Sequence, residues 1–193
     1  MKLILASTSK FKSDILNTAH LFHKCIESNF EEESTKEDVY EYVCDLALGK
    51  AKSVENKVDD GIIIGLDTVV YINGKILEKP NSLEKAKEVL KFCQNNTTKV
   101  ITGIALINKN TNEIITDYSE TKVTLRKITD KDIDYYIENE PNILYVSGYV
   151  IETIISNFIE KIEGSYYNIL GIPVETIYKH LNNWGIYLSD IEK

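Results

Sequence analysis

Gly61-Ile-Ile-Ile-Gly-Leu-Asp-Thr68 begins about a third of the way along the chain. The apolar run from Gly61 to Leu66 has the length of a single strand. It is unbroken rather than alternating, as expected of a strand covered on both faces. Asp67 follows directly and is expected at that strand's carboxyl end, the edge at which open α/β sheets bind their ligands. An aspartate capping an ordinary turn fits the same position.

Upstream, Val39, Val43, Leu46, Ala47, Ala51 and Val54 recur at helical spacing and predict a long helix from Lys36 to about Asn56. Lys50 falls on the apolar stripe of that helix. A lysine there either snorkels out along its stem or meets an anion. Before the helix stands Glu31-Glu32-Glu33, which is either a solvated surface or a source of oxygen ligands for Mg²⁺. The chain opens with a short buried strand, Lys2 to Ala6, then Ser7-Thr8-Ser9-Lys10 and a helix to about Thr18. The hydroxyls there, with Lys10 and Lys12, suit a phosphate at the helix N-terminus or a plain side-chain cap. A second strand is expected over Lys24 to Ser28.

Downstream, Val69 to Ile72 and Lys75 to Leu77 flank Asn73-Gly74, a two-residue hairpin signal. Pro80-Asn81 opens a helix through Cys93, with Asn81 as its cap and Glu84 three residues on. Lys79 stands just before that helix, as a phosphate contact or as a solvated loop lysine. Strands are expected over Lys99 to Asn108, Glu113 to Arg126 and Ile154 to Ile162. A capping box of Thr129 and Asp132 starts a helix to Glu138, and a last helix runs from Pro173 to near Gly185. Helices interleaved with buried and half-exposed strands give an α/β fold with a mixed sheet.

The 193 residues suit one or two compact lobes. A formal net charge of −8 argues against a nucleic-acid surface, which needs a basic face, yet leaves a single nucleotide possible. No apolar run approaches the ~20 residues of a membrane span. Cys25, Cys44 and Cys93 are scattered and odd in number, as expected of buried thiols in a reducing, cytoplasmic setting. His20, His23 and His180 lack ligand spacing, and neither a Ser-His-Asp order nor a Walker loop is present.

The order of the short motifs is more specific than any one of them. Ile4-Leu-Ala-Ser-Thr-Ser9, Glu31-Glu32, Gly49-Lys50-Ala51, Ile64-Gly-Leu-Asp-Thr-Val69, Glu78-Lys-Pro80, Thr102-Gly103, Gly164-Ser-Tyr-Tyr-Asn168 and Gly171-Ile-Pro173 together resemble the Maf family over essentially the whole chain. The resemblance implies one Maf-like domain over 1–193. Its expected fold is a mixed, twisted central sheet flanked by helices, similar to inosine triphosphatases, with an active-site cleft between two lobes. It further implies a cytoplasmic nucleoside triphosphate pyrophosphatase that uses Mg²⁺ or Mn²⁺, works as a homodimer, and engages neither membrane nor nucleic acid.

By the same resemblance Asp67 is the catalytic base or a metal ligand, and Glu32 holds the metal with it, Glu31 being the alternative by one residue. Lys50 and Lys79 are expected on the triphosphate. Ser7, Lys10, Phe11, Lys12, Thr68 and Glu152 are expected to contact substrate. The chain departs from the family pattern at two places. Ser9-Lys10-Phe11-Lys12 stands for Ser-Pro-Arg-Arg, which removes the arginine fork and offers an aromatic ring. Gly148-Tyr-Val-Ile-Glu-Thr153 puts Glu152 where members acting on dTTP and UTP carry glutamine. A carboxylate only accepts and suits the N–H donors of guanine, as in the 7-methyl-GTP branch, whereas Thr68 matches the dTTP/UTP branch. The base stays open between the two. Pyrophosphatases of the ITP/XTP house-cleaning type and a nucleotide-sensing regulator of division are the alternatives.

Overall fold

The continuous burial of Ile62 to Leu66 belongs to β3 (Ile62–Ile72), the strand that positions everything else. In this computed structural model, which describes residues 1–193, β3 pairs in parallel with β1 (Leu3–Leu5), Leu3 opposite Ile62 and Leu5 opposite Ile64. β1 in turn pairs in parallel with β2, which is only Lys24–Cys25 rather than a strand to Ser28, so Cys25 is exposed instead of buried. Past Leu66 the strand does not stop. It runs on to Ile72 and folds back through Asn73-Gly74 into β4 (Lys75–Leu77). Both turn residues have positive φ, 49° and 80°, which the twist of a two-residue hairpin favours and Asn-Gly tolerates. Asp67 therefore lies inside β3 and not at its carboxyl end. The apolar run ends where two-sided cover ends, which is short of where the strand ends.

The remaining strands are β5 (Thr97–Asn108), β6 (Glu113–Leu125) and β7 (Ile159–Glu163). The seven-stranded sheet has the order β2-β1-β3-β5-β6-β7, with β4 added on β3. It is mixed: parallel at β1, antiparallel at β3–β4 and at β6–β7. Helices accompany it, α1 (Lys10–Thr18), α2 (Val39–Ser53), α3 (Leu83–Cys93), α4 (Asp130–Asn139), the short α5 (Tyr166–Ile169) and α6 (Val174–Asn183). The expectation of an α/β fold with a mixed sheet and flanking helices holds.

Several ends shift for local reasons. Asp38 accepts from the N–H groups of Tyr40 and Glu41, so α2 starts at Val39, with the first residue of its apolar pattern and three residues later than the expected Lys36. α3 is capped by Ser82, which accepts from Lys85 N, and not by Asn81. Residues Ile154–Phe158 wind into a 3₁₀ helix, and the strand starts only at Ile159.

The chain forms two compact units, one of residues 1–68, 101–119 and 170–193, the other of 69–100 and 120–169. In the first, side chains alternate between the sheet's two faces. Leu3, Leu5, Ile62, Ile64, Leu66, Ile104 and Leu106 pack with Leu16 of α1 and with Ile177 and Leu181 of α6. Ile4, Ala6, Ile63, Ala105 and Ile107 face Ala47, Ala51 and Val54 on the α2 side. In the second unit α3 packs on α4, reinforced by ion pairs of Lys87 with Asp134 and Lys91 with Asp130. There the buried Asn168 amide donates to Val100 O and Thr121 Oγ1, each at 3.0 Å, and tethers α5.

Candidate functional site

Two strand glycines bring α2 down onto the sheet. A Cβ on Gly65 would collide with the Ala47 carbonyl oxygen, and one on Gly103 with the Val43 carbonyl oxygen. Val43, Ala47 and Ala51 are one helical turn apart, so a single row of α2 lies directly over Gly65 of β3 and Gly103 of β5. A glycine inside a strand is the expected mark of such a close backbone approach. By the two-residue alternation Ile63, Gly65 and Asp67 share one face, and Asp67 meets α2 one position beyond its closest contact.

Lys50 is the residue of α2 that reaches it. Its Nζ donates to Asp67 Oδ1 at 2.6 Å and lies 2.7 Å from Glu32 Oε1. The lysine is only 16% exposed and the Asp67 residue 6%, whereas Glu32 is 63% exposed. The anion-meeting alternative for Lys50 is the one the fold adopts. Burial works against its charge, but attraction to Asp67 and hydrogen bonds to Asp67 and Glu32 outweigh it, leaving the ammonium above its ordinary value. Glu32 and Asp67 thus both turn a carboxylate oxygen to the Lys50 ammonium. No group of three or more His, Cys, Asp or Glu side chains gathers to hold a metal, so the protein would offer a divalent cation two hard oxygen donors, within the one or two carboxylates that Mg²⁺ takes alongside substrate phosphates.

The opposite face carries Thr68. Its Oγ1 lies 3.0 Å from that of the buried Thr102, beneath Gly171. Gly171 has φ +75°, and a Cβ there would stand 2.9 Å from Thr68 Oγ1 and 3.8 Å from Lys12 Cε. Lys12 Nζ reaches Leu66 O at 3.5 Å, so this lysine joins the neighbourhood of Asp67. Its three companions on the α1 entry are placed otherwise. Ser7 Oγ accepts from Ser9 N and Ser9 Oγ caps α1 at Lys12 N, so the capping alternative is realised for these hydroxyls. Lys10 pairs with Asp14 at 2.6 Å, and Phe11 is half exposed.

Lys79 and Glu152 belong to the second unit. Lys79 is exposed between β4 and α3, three residues ahead of the Ser82 cap. Glu152 is exposed in the turn before the 3₁₀ helix, close enough to Tyr166 to help raise that phenol, after burial. Of the four residues expected to share one site, Glu32, Lys50 and Asp67 come together.

Residues absent from the expected set also shape this region: Phe30, Ser34, Asp45, Gly65 and Gly103. The signal for some was present, because a glycine inside a helical pattern (Gly49) or a strand (Gly65, Gly103) marks close packing. None was visible for the Ser34–Asp45 hydrogen bond at 2.7 Å.

A family model described as Maf-like protein matches residues 2–184. A dTTP/UTP pyrophosphatase of Clostridium perfringens (strain SM101 / Type A) is 39% identical over 189 residues, spanning 96% of this chain and 98% of the relative. One from Thermoanaerobacter sp. (strain X514) is 36% identical over 179 residues, 92% and 94% of the two chains. Another, from Clostridium botulinum (strain Hall / ATCC 3502 / NCTC 13319 / Type A), is 35% identical over 191 residues, 96% and 98%. Among solved structures the Staphylococcus aureus Ham1 protein is similar at a TM-score of 0.47 and 13% identity, over 65% of this chain and 72% of that one. With the family pattern running from the first strand to the end of the last helix, the chain belongs to the Maf family.

Proposed function

We propose that the protein hydrolyses dTTP and UTP to the monophosphate and pyrophosphate. The observation that carries this is the buried Asp67 carboxylate held by Lys50 at 2.6 Å, with Glu32 on the same ammonium. The Lys50 hydrogen bond fixes Asp67 through Oδ1, leaving Oδ2 to take the proton of a water attacking the α-phosphorus. Lys50 and Lys12 supply positive charge on either side of β3, where charge builds as pyrophosphate leaves. A divalent cation, Mg²⁺ or Mn²⁺, would be held by Glu32 and Asp67 and would supply neutralisation of phosphate charge. Lys79 as a further phosphate contact, and Ser7, Lys10, Phe11 and Glu152 as substrate contacts, are supported by the family pattern. So are a homodimer and a cytoplasmic location. No helix is long and apolar enough to cross a membrane.

Thr68 and the names of the relatives support the pyrimidine branch over 7-methyl-GTP. The test is pyrophosphate release from UTP, dTTP, CTP, GTP, 7-methyl-GTP and ITP with Mg²⁺ and with Mn²⁺. UTP and dTTP are expected to lead. First place for 7-methyl-GTP or ITP would reassign the base, and silence on the whole panel would remove the activity.

A further inference from the structure

Glu32 is the most exposed member of the cluster, and an ion pair with one arm in solvent contributes little toward the entropy cost of ordering the coil that carries it. Its coil is nonetheless fastened to α2 at three points. Ser28 Oγ lies 2.9 Å from Ser53 Oγ, whose hydroxyl donates to Lys50 O at 2.8 Å, and Phe30 N donates to Ser28 Oγ at 3.3 Å. The Phe30 ring rests on Gly49, in the space a Cβ would fill. Ser34 Oγ donates to Asp45 Oδ2 at 2.7 Å and accepts from Lys36 N at 3.2 Å.

The attachment points on α2 descend, 53, 49, 45, as those on the coil ascend, 28, 30, 34, so the coil runs antiparallel along the helix. Phe30 and Ser34 each stand two residues from Glu32, and at about 3.3–3.6 Å per residue they confine its backbone to a small volume. A helix-interior glycine is unfavourable by itself; at Gly49 it makes the seat for a ring. We propose that residues 28–34 form a strap, fastened through Ser28–Ser53, Phe30–Gly49 and Ser34–Asp45, that holds the Glu32 carboxylate at Lys50. Phe30, Ser34 and Asp45 are positioning residues for the site. Only the consequence for metal and turnover rests on the function proposed above.

Two measurements separate the parts. Amide hydrogen exchange at Phe30 and Glu33 is independent of any activity. It is expected to quicken about tenfold in Ser34→Ala, which deletes a single hydroxyl, and in Gly49→Ala. Unchanged exchange in both variants overturns the strap. Mn²⁺ binding is then followed by electron paramagnetic resonance in the presence of α,β-methylene-UTP. Each variant is expected to weaken Mn²⁺ about tenfold in the wild-type background and to have no effect in a Glu32→Gln background. Equal weakening in both backgrounds overturns the positioning role. Phe30→Leu should partly restore Gly49→Ala by making room for the new methyl, and an absent rescue counts against the Phe30–Gly49 seat. If the wild-type protein neither binds Mn²⁺ nor releases pyrophosphate, the proposed function fails, and exchange alone decides the strap.

Discussion

Lys50 is placed where a charge is costly, and Asp67 makes that position tolerable. The pair is well shielded, so removing one partner leaves the other buried and uncompensated. Lys50→Met is expected to cost about 3 kcal/mol of stability by urea denaturation, whereas Asp67→Asn keeps an acceptor for the ammonium and should cost less. Activity should order them the other way. Asp67→Asn is expected to lower pyrophosphate release about 10²–10⁴-fold while nucleotide binding stays measurable by calorimetry; near-normal turnover would take Asp67 out of the chemistry. Glu152→Gln is expected to raise the preference for UTP and dTTP over 7-methyl-GTP, and an unmoved ranking would mean that Glu152 does not read the base. At this scale the sequence was informative but incomplete. Periodicity put Lys50 on the buried stripe, yet choosing between snorkelling and pairing needed the register of a strand seventeen residues away.

At the scale of elements, the distance between α2 and the sheet is set by what is missing from Gly65 and Gly103. Gly103→Ala would push a methyl into the Val43 carbonyl, lifting the helix that carries Lys50. Overpacking of this kind costs about 1–3 kcal/mol, read as a lower urea midpoint, and it should lower kcat more than it raises KM. A fully native midpoint would show that α2 has slack. The hairpin at Asn73-Gly74 was legible because its chemistry is local, and so was the Thr129 cap of α4. The continuity of β3 through Asp67-Thr68 was not, since the apolar run stops at Leu66 and the hairpin signal reports only Val69 to Ile72, so the two halves read as separate strands. Ile154–Phe158 has a strand-like composition but winds into a 3₁₀ turn, a tertiary override of propensity.

Across the whole molecule, the groups most perturbed share a direction. Burial pushes Cys44 to about 11, with Asp117 adding to it, and Cys93 to about 12; it also raises the phenols of Tyr136 and Tyr149, while the paired Lys50 is raised by its carboxylates against burial. Each holds its proton more tightly folded than unfolded. Their stabilisation is complete below the ordinary values, 9.0 for cysteine, 10.0 for tyrosine and 10.5 for lysine, and is lost as pH climbs through the raised ones. The urea midpoint is therefore expected to fall steadily between about pH 9 and pH 12, and a midpoint at pH 11 equal to that at pH 8 would contradict the burial of these groups.

The core of the first unit joins Leu3 and Leu5 to Ile172, Ile177 and Leu181. A ribosome adding about 5–20 residues per second makes the amino-terminal strand wait roughly ten seconds or more for its last partners. Every residue of the second unit has by then been translated. The half that carries Asp67 and Lys50 is consequently finished last, and its bare β1 and β3 segments are what a nascent chain would show to chaperones.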